Sequence, residues 1–259
     1  MADWALDDPR IWRLPAFLMP PGSLGGDSVT IEDDEGHHAV DVMRVRVGGL
    51  VRLIDGSGTE AVARVENVGR GTAGASVIEI RHHERRDAVE LTVFQALLKA
   101  RAFDEVVRRC SELGVAAVVP IVTERTIGRP SGRSPDSRLE RWRAVSTAAV
   151  KQSRGVFLPT IEEPVALGDA GDRVLEHDIR LVAWEEERSN ALRAVLGSAK
   201  GRRIALIVGP EGGLTGEEIR RLSELGVIHV TVGPRVLRAD WAAAAIAAMI
   251  SCEFGGLLP

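Results

Sequence analysis

The sequence predicts an α/β protein in two parts: a small antiparallel β-barrel or sandwich over residues 1–80, then a parallel sheet covered by helices over residues 88–259. Three observations predict it. Between Val29 and Ile80, short β-branched runs are separated by turn dipeptides. After Ala88, apolar runs alternate with amphipathic stretches, as strands and helices do in parallel sheets. Arg81 to Asp87 is charged and lacks an apolar period, so it divides the two rhythms. A chain of 259 residues, 45% hydrophobic and 27% charged, is long enough for two cores.

In chain order, Val47-Gly48-Gly49 is a turn, Leu50 to Ile54 a strand, Asp55-Gly56-Ser57-Gly58 a hairpin turn and Ala61 to Val65 the returning strand. Leu91–Leu97, Ala116–Ile121, Ile179–Trp184, Ile204–Val208 and Ile228–Val232 are the candidate strands of the second part. Phe103–Leu113 places Val106, Val107, Cys110 and Leu113 on one helical face and stops at Gly114, which suits a left-handed cap. Arg138–Ser153 is a basic helix, and Gly128–Asp136, rich in Arg, Ser, Pro and Gly, reads as a mobile loop. The chain ends in an alanine-rich helix, Ala239–Cys252, that can pack closely against backbone.

Composition excludes several classes. The longest charge-free stretch near the end, Trp241–Cys252, is too short to span a bilayer, so no membrane segment is expected. Met1 to Asp8 carries three acids where a secretory leader carries basic residues, which points to the cytoplasm. Two cysteines, Cys110 and Cys252, with no paired spacing and no histidine at ligand spacing, assemble neither a disulfide framework nor a metal site; both read as small apolar side chains packed in helices. The net charge of -4 conceals a segregation: residues 81–154 carry 15 basic against 9 acidic groups, a surplus of +6 between acidic flanks. Most of the cations are arginine, whose planar fork suits phosphate.

The most informative segment runs from Ile204 through Gly209-Pro210-Glu211-Gly212-Gly213 to Ile219. A buried strand enters a glycine-rich turn and then a helix for which Thr215 and Glu218 make a capping box. The position after a strand's carboxyl end is where open α/β sheets bind small molecules. The turn lacks the Lys-Ser/Thr of a phosphate loop and the GxGxxG of a dinucleotide site, and on spacing alone a ligand site and a bare tight turn are equally good readings. A second strand and Gly-Pro turn follow, Val232-Gly233-Pro234-Arg235-Val236-Leu237-Arg238, and two such turns at adjacent strand ends can wall one cleft.

Four segments in order carry a resemblance. They are His38-Ala39-Val40-Asp41-Val42-Met43-Arg44 with Gly48 and Asp55-Gly56; Glu112-Leu113-Gly114-Val115 with Pro120 and Thr123-Glu124-Arg125; Gln152-Ser153-Arg154 with Pro159; and the two Gly-Pro turns through Arg238. Together they resemble the RsmE family of SPOUT-class RNA methyltransferases. The resemblance implies a PUA-like barrel over residues 1–80 and, over residues 88–259, a trefoil-knotted domain that forms a homodimer and binds S-adenosylmethionine in the knot. It implies methylation of N3 of one uridine of 16S rRNA, number 1498 in the usual count, on the RNA or the small ribosomal subunit. Gly209, Pro210, Glu211, Gly212 and Gly213, with Val232, Gly233, Val236 and Leu237, would then hold the cofactor. The chain departs from the family after Arg238, where Ala239-Asp240-Trp241 replaces a Thr-Glu-Thr run; Asp240 keeps a carboxylate that can cap the helix, and both hydroxyls are gone.

Uracil N3 carries a proton and attacks poorly until that proton leaves. An arginine that stabilises negative charge on the ring and a carboxylate that accepts the proton are therefore the useful groups. Arg238 and Arg154 are the candidates for the first role and Glu211 or Asp240 for the second. Lys99, Arg101, Arg125, Arg141, Arg143 and Lys151, with Arg44 from the barrel, are expected to position phosphates. Neither metal nor membrane is called for. Two other readings stay open: a SPOUT enzyme acting on another base or a ribose 2'-hydroxyl, and a non-catalytic RNA-binding ribosome-assembly factor, to which Ala239 and Trp241 point.

Overall fold

The computed structural model describes residues 8–84, 89–99, 101–127 and 135–255. The expected loop over 128–136 lies, as far as residue 134, outside the described residues, as do the first seven residues and the end of the expected boundary segment. The chain divides into two compact units, Met1–Arg86 with Val150–Leu158, and Asp87–Ala149 with Pro159–Pro259. The first therefore recruits a nine-residue segment from deep inside what the sequence rhythm assigns to the second.

In the first unit, β1 (Ala16–Leu18), β2 (Ser28–Ile31), β3 (Leu50–Ile54), β4 (Thr59–Val68) and β5 (Ala73–His82) form one sheet in the order β1-β3-β4-β5-β2. Alternation places Leu53, Ala61, Ala63, Val65, Ala73 and Ala75 in a core with Phe17, Leu24 and Ile31. Pairing is antiparallel except for β1 against β3, which run parallel with Phe17 opposite Leu53. That parallel pair departs from the all-hairpin expectation, because β1 precedes the region where turn signals are dense. The stretch from 33 to 42 is helical rather than extended: α1 (Asp33–His37) runs into a π-helical turn, His38–Val42, that buries Ala39. The hairpin turn forms where Asp55-Gly56-Ser57-Gly58 predicts it, with Gly56 at φ 71° and Gly58 at φ 108°.

In the second unit, β6 (Glu90–Ala96), α2 (Ala102–Glu112), β7 (Ala117–Val122), α3 (Pro135–Gln152), β8 (Thr160–Ile161), β9 (Val165–Ala166), α4 (Gly171–Leu175), β10 (Ile179–Ala183), α5 (Leu192–Ser198), β11 (Arg203–Val208), α6 (Gly216–Glu224), β12 (Ile228–Val230) and α7 (Ala239–Glu253) follow in order, α3 ending in the segment the first unit recruits. The sheet is parallel throughout, ordered β12-β10-β11-β6-β7-β8, with β9 also against β7. Helices cover it: one core packs Phe103, Val106, Val107 and Cys110 of α2 with Ala243, Ile246, Ala247 and Ile250 of α7, and another packs Ile219 and Leu222 of α6 against Val182, Ala205 and Ile207. The five predicted strands and the helices α2, α3, α6 and α7 are present with ends shifted by up to three residues; the two-residue strands β8 and β9 are too short to leave a pattern. Gly114 takes φ 73° beyond α2, as its cap position requires. Cys110 is fully buried, and burial pushes its thiol up to about 12. Cys252 is exposed, which corrects the expectation that both cysteines pack inside. It lies on the outer face of α7 with Trp241 and Met249.

Among the described residues no helix is long and apolar enough to cross a membrane, and no group of three or more His, Cys, Asp and Glu is placed to hold a metal ion.

Candidate active site

Parallel strands end together, so the loops after β10, β11 and β12 emerge from one edge of the sheet. They enclose a cavity of about 490 Å³, closed by the start of α7 and by Leu98 and Ala102. Gly209, Pro210, Glu211 and Gly213 line it from the β11 loop, and Val232, Gly233, Val236 and Leu237 from the β12 loop. Of the nine candidate binding residues only Gly212 faces away; its carbonyl accepts a hydrogen bond from Nη1 of Arg125 at 3.0 Å.

The glycine loop is held from below. The side-chain amide of Gln95, fully buried at the end of β6, donates to the carbonyls of Ala96, Val208 and Gly209 at 3.1, 3.5 and 3.3 Å. Gly213 turns the loop at φ 70°, donating its N–H to the Pro210 carbonyl at 2.9 Å. A Cβ on it would lie 2.2 Å from Oε1 of Glu185, so only glycine lets that carboxylate settle over the loop. The capping box then starts α6: Thr215 N–H donates to Glu218 at 2.8 Å and Glu218 N–H to Thr215 Oγ1 at 3.2 Å. Across the cavity Gly233 takes φ 139° with nothing within 4 Å of where its Cβ would be, leaving backbone open to a ligand.

Three carboxylates line the cavity. Glu211 accepts from the backbone N–H of Lys99 at 3.1 Å. Asp240 does not cap α7: Arg238 occupies the N-cap, and its Nε and Nη2 donate to the Asp240 carboxylate at 3.0 and 3.3 Å. Among the described residues Glu185 has no such partner for its carboxylate. Arg188, Arg235 and the mostly exposed Arg238 bring positive charge to the same walls, while Leu98, Val208, Leu214, Val230 and Ile246 make the remainder apolar. Such a lining fits an elongated molecule with an apolar body and a zwitterionic end.

A family model described as RNA methyltransferase domain matches residues 85–251, and one described as RNA methyltransferase PUA domain matches residues 31–78. A ribosomal RNA small subunit methyltransferase E from Mycobacterium tuberculosis is 32% identical, the match covering 85% of this chain and 84% of that one. This chain belongs to the RsmE family of RNA methyltransferases. The namesake from Synechocystis is 31% identical over 86% of this chain and 72% of its own. The structure of the Neisseria gonorrhoeae protein of that name, bound to S-adenosyl methionine, superposes with a TM-score of 0.81 at 29% identity, covering 91% of this chain and 96% of that one.

Within this RsmE chain the remaining candidates fall in different places. Arg238 lines the cavity; Arg154 belongs to the first unit, exposed, with its guanidinium over the Trp12 ring at 5.4 Å. Lys99, Arg101, Arg143 and Arg44 are exposed. Arg141 instead pairs with Asp104 at 2.9 Å, Lys151 with Glu35 at 2.7 Å, and Arg125 supports Gly212, so these three cations are engaged within the fold. Buried His177 is satisfied by the Arg173 carbonyl and Thr92 Oγ1, both at 2.9 Å, and burial lowers its pKa. Glu185, Arg188 and Gln95 escaped the sequence reading. Glu185 and Arg188 sit just past a strand's carboxyl end, the same signal that singled out Gly209; Gln95 left none, since its role depends on which strand lies beside β6.

Proposed function

We propose that this chain transfers the methyl group of S-adenosylmethionine to N3 of a single uridine in small-subunit rRNA. The observation that carries the reading is the convergence of both Gly-Pro turns on one amphoteric cavity that also holds Arg238. The apolar walls and the open backbone at Gly233 take the adenosine and sulfonium parts, and the amino-acid end meets the free carboxylate of Glu185 and the arginines around it. The cofactor supplies an electrophilic methyl group and needs no metal activation. The protein's task is to orient the nucleophile and stabilise its charge. Arg238, exposed at the cavity rim, faces the negative charge that grows on the uracil carbonyls as the N3 proton departs. Glu211 and Asp240 each keep lone pairs beyond the hydrogen bonds they accept, so they are the carboxylates that take the proton, directly or through solvent. Exposed Lys99, Arg101, Arg143 and Arg44 contact phosphates, and Arg154 contacts the RNA. The trefoil knot, the homodimer, the cytoplasmic setting and domain limits of 1–80 and 88–259 belong to the same reading, supported by the family.

Methyl transfer to small subunits that lack the modification, followed by mass spectrometry of nucleosides, tests it. 3-Methyluridine is expected; a 2'-O-methyl nucleoside or a different methylated base would move the chain to another SPOUT activity. Absence of any heat with S-adenosylmethionine in calorimetry would leave an RNA-binding assembly factor. Arg238→Ala is expected to slow transfer by about 100-fold with donor affinity unchanged.

A further inference from the structure

The first unit contains a buried charge cluster for which the proposed chemistry has no use. Arg52, on β3, is 2% exposed, and Glu60, on β4, is 1% exposed. Nε of Arg52 donates to Oε1 of Glu60, whose Oε2 is 3.0 Å from Nε2 of His83. Removing two opposite charges from water costs several kcal/mol, so such a pair is weak evidence for stability and asks for another reason. The reason lies in the remaining donors. Nη2 of Arg52 reaches the carbonyls of Arg154 and Gly155, at 3.2 and 3.3 Å, across more than a hundred residues of chain.

The recruited segment is held on both sides of that contact. Gly58 donates to the Val156 carbonyl at 3.1 Å, and Leu158 donates to the Gly56 carbonyl at 2.8 Å. Lys151 pairs with Glu35 before it. Arg154 itself takes φ 67°, a left-handed conformation that a residue with a Cβ adopts only at a cost. The Trp12 ring lies near both guanidinium groups, 4.7 Å from that of Arg52 and 5.4 Å from that of Arg154.

We infer that Arg52, oriented by Glu60, is a positioning residue: it clamps the carbonyls of residues 154 and 155, fixes the left-handed turn, and so presents the exposed Arg154 side chain to RNA. This rests on the proposed reading in so far as Arg154 serves the RNA. A planar fork is needed, because one group must meet a carboxylate along one edge and two carbonyls along another. Lysine would keep the charge and lose the second set of contacts.

The test compares wild type, Arg52→Lys, Arg154→Ala and the double variant, with Glu60→Gln as the alternative if Arg52→Lys does not fold. Each single substitution is expected to lower kcat/KM for undermodified small subunits by about tenfold, and the double variant to be no worse than Arg154→Ala within about twofold, since both remove one device. Donor dissociation constants should stay within about twofold of wild type, because no described residue of the first unit lines the cavity. Wild-type kcat/KM in Arg52→Lys, or losses that multiply in the double variant, would overturn the clamp. Amide exchange at residues 153–157 reads it without any methyl transfer: faster exchange in the Arg52 or Glu60 variant supports it, and unchanged exchange refutes it. If wild type transfers no methyl group while exchange still rises, the functional reading fails and the clamp stands.

Discussion

The two units place their candidate functional residues by opposite means. In the second, a parallel sheet delivers three loops to one edge, and the cavity is shaped by backbone: glycines at 209, 213 and 233, carbonyls braced by Gln95, and arginines left exposed at the rim. In the first, the exposed Arg154 depends on side chains drawn from distant strands, with a buried Arg52–Glu60 pair as the brace. A backbone-built site tolerates changes in surrounding side chains and is broken by adding a Cβ. A side-chain-built one is broken by removing a single charge.

Breaking the first unit's brace outright should have the largest effect. Arg52→Met leaves the Glu60 carboxylate buried beside only a half-exposed histidine, and about 3–5 kcal/mol of stability should be lost in urea melts, with donor affinity unchanged once folded material is selected. Asp55 sharpens the same contrast at the hairpin turn. Burial alone would raise its pKa, but donors from Ser57 and Thr59 outweigh that and hold its carboxyl down to about 2. Its folded pKa lies below the unfolded value of 3.8, so the stabilisation is present above about pH 4 and is lost as pH falls through 2. Asp55→Asn should therefore be less stable by up to about 2 kcal/mol at pH 7, the difference closing between pH 4 and pH 2.

In the cavity the expected losses are in binding. Gly213→Ala forces φ 70° on an alanine and displaces Glu185; donor affinity should fall about tenfold in calorimetry while the melting temperature moves by only a few degrees. Glu185→Gln is expected to weaken S-adenosylmethionine and S-adenosylhomocysteine alike, by about fivefold, because both carry the same ammonium group; a loss confined to the sulfonium form would move the contact to the sulfur. Thr215→Ala removes one half of a capping box and should cost roughly 1 kcal/mol with little change in binding.

Much of this was legible in the sequence because it is written in local periods. Strands β3, β6, β7, β10, β11 and β12 and helix α2 follow from apolar spacing, α7 from its run of alanines, and the turns at Asp55–Gly58 and Gly209–Gly213 from residue types that tolerate positive φ. The capping box of Thr215 and Glu218 is a four-residue pattern and is present as read. The parallel pairing of β1 with β3 was illegible, since three residues carry no period. So were the ion pairs that engage Arg141 and Lys151, because a sum of charges along a chain does not say which cations face an acid.

By itself the sequence determined the hairpin from Leu50 to Val65, the long strands and helices of the second unit in their order, the two Gly-Pro turns and the family resemblance. Only the tertiary structure decided that β10, β11 and β12 stand side by side, bringing Glu185 over Gly213, and that residues 150–158 leave their own neighbourhood to complete the first unit. The physical reason is range: capping, turn and period energies act within a few residues, whereas a buried guanidinium finds its carbonyls only after the chain has folded back on itself.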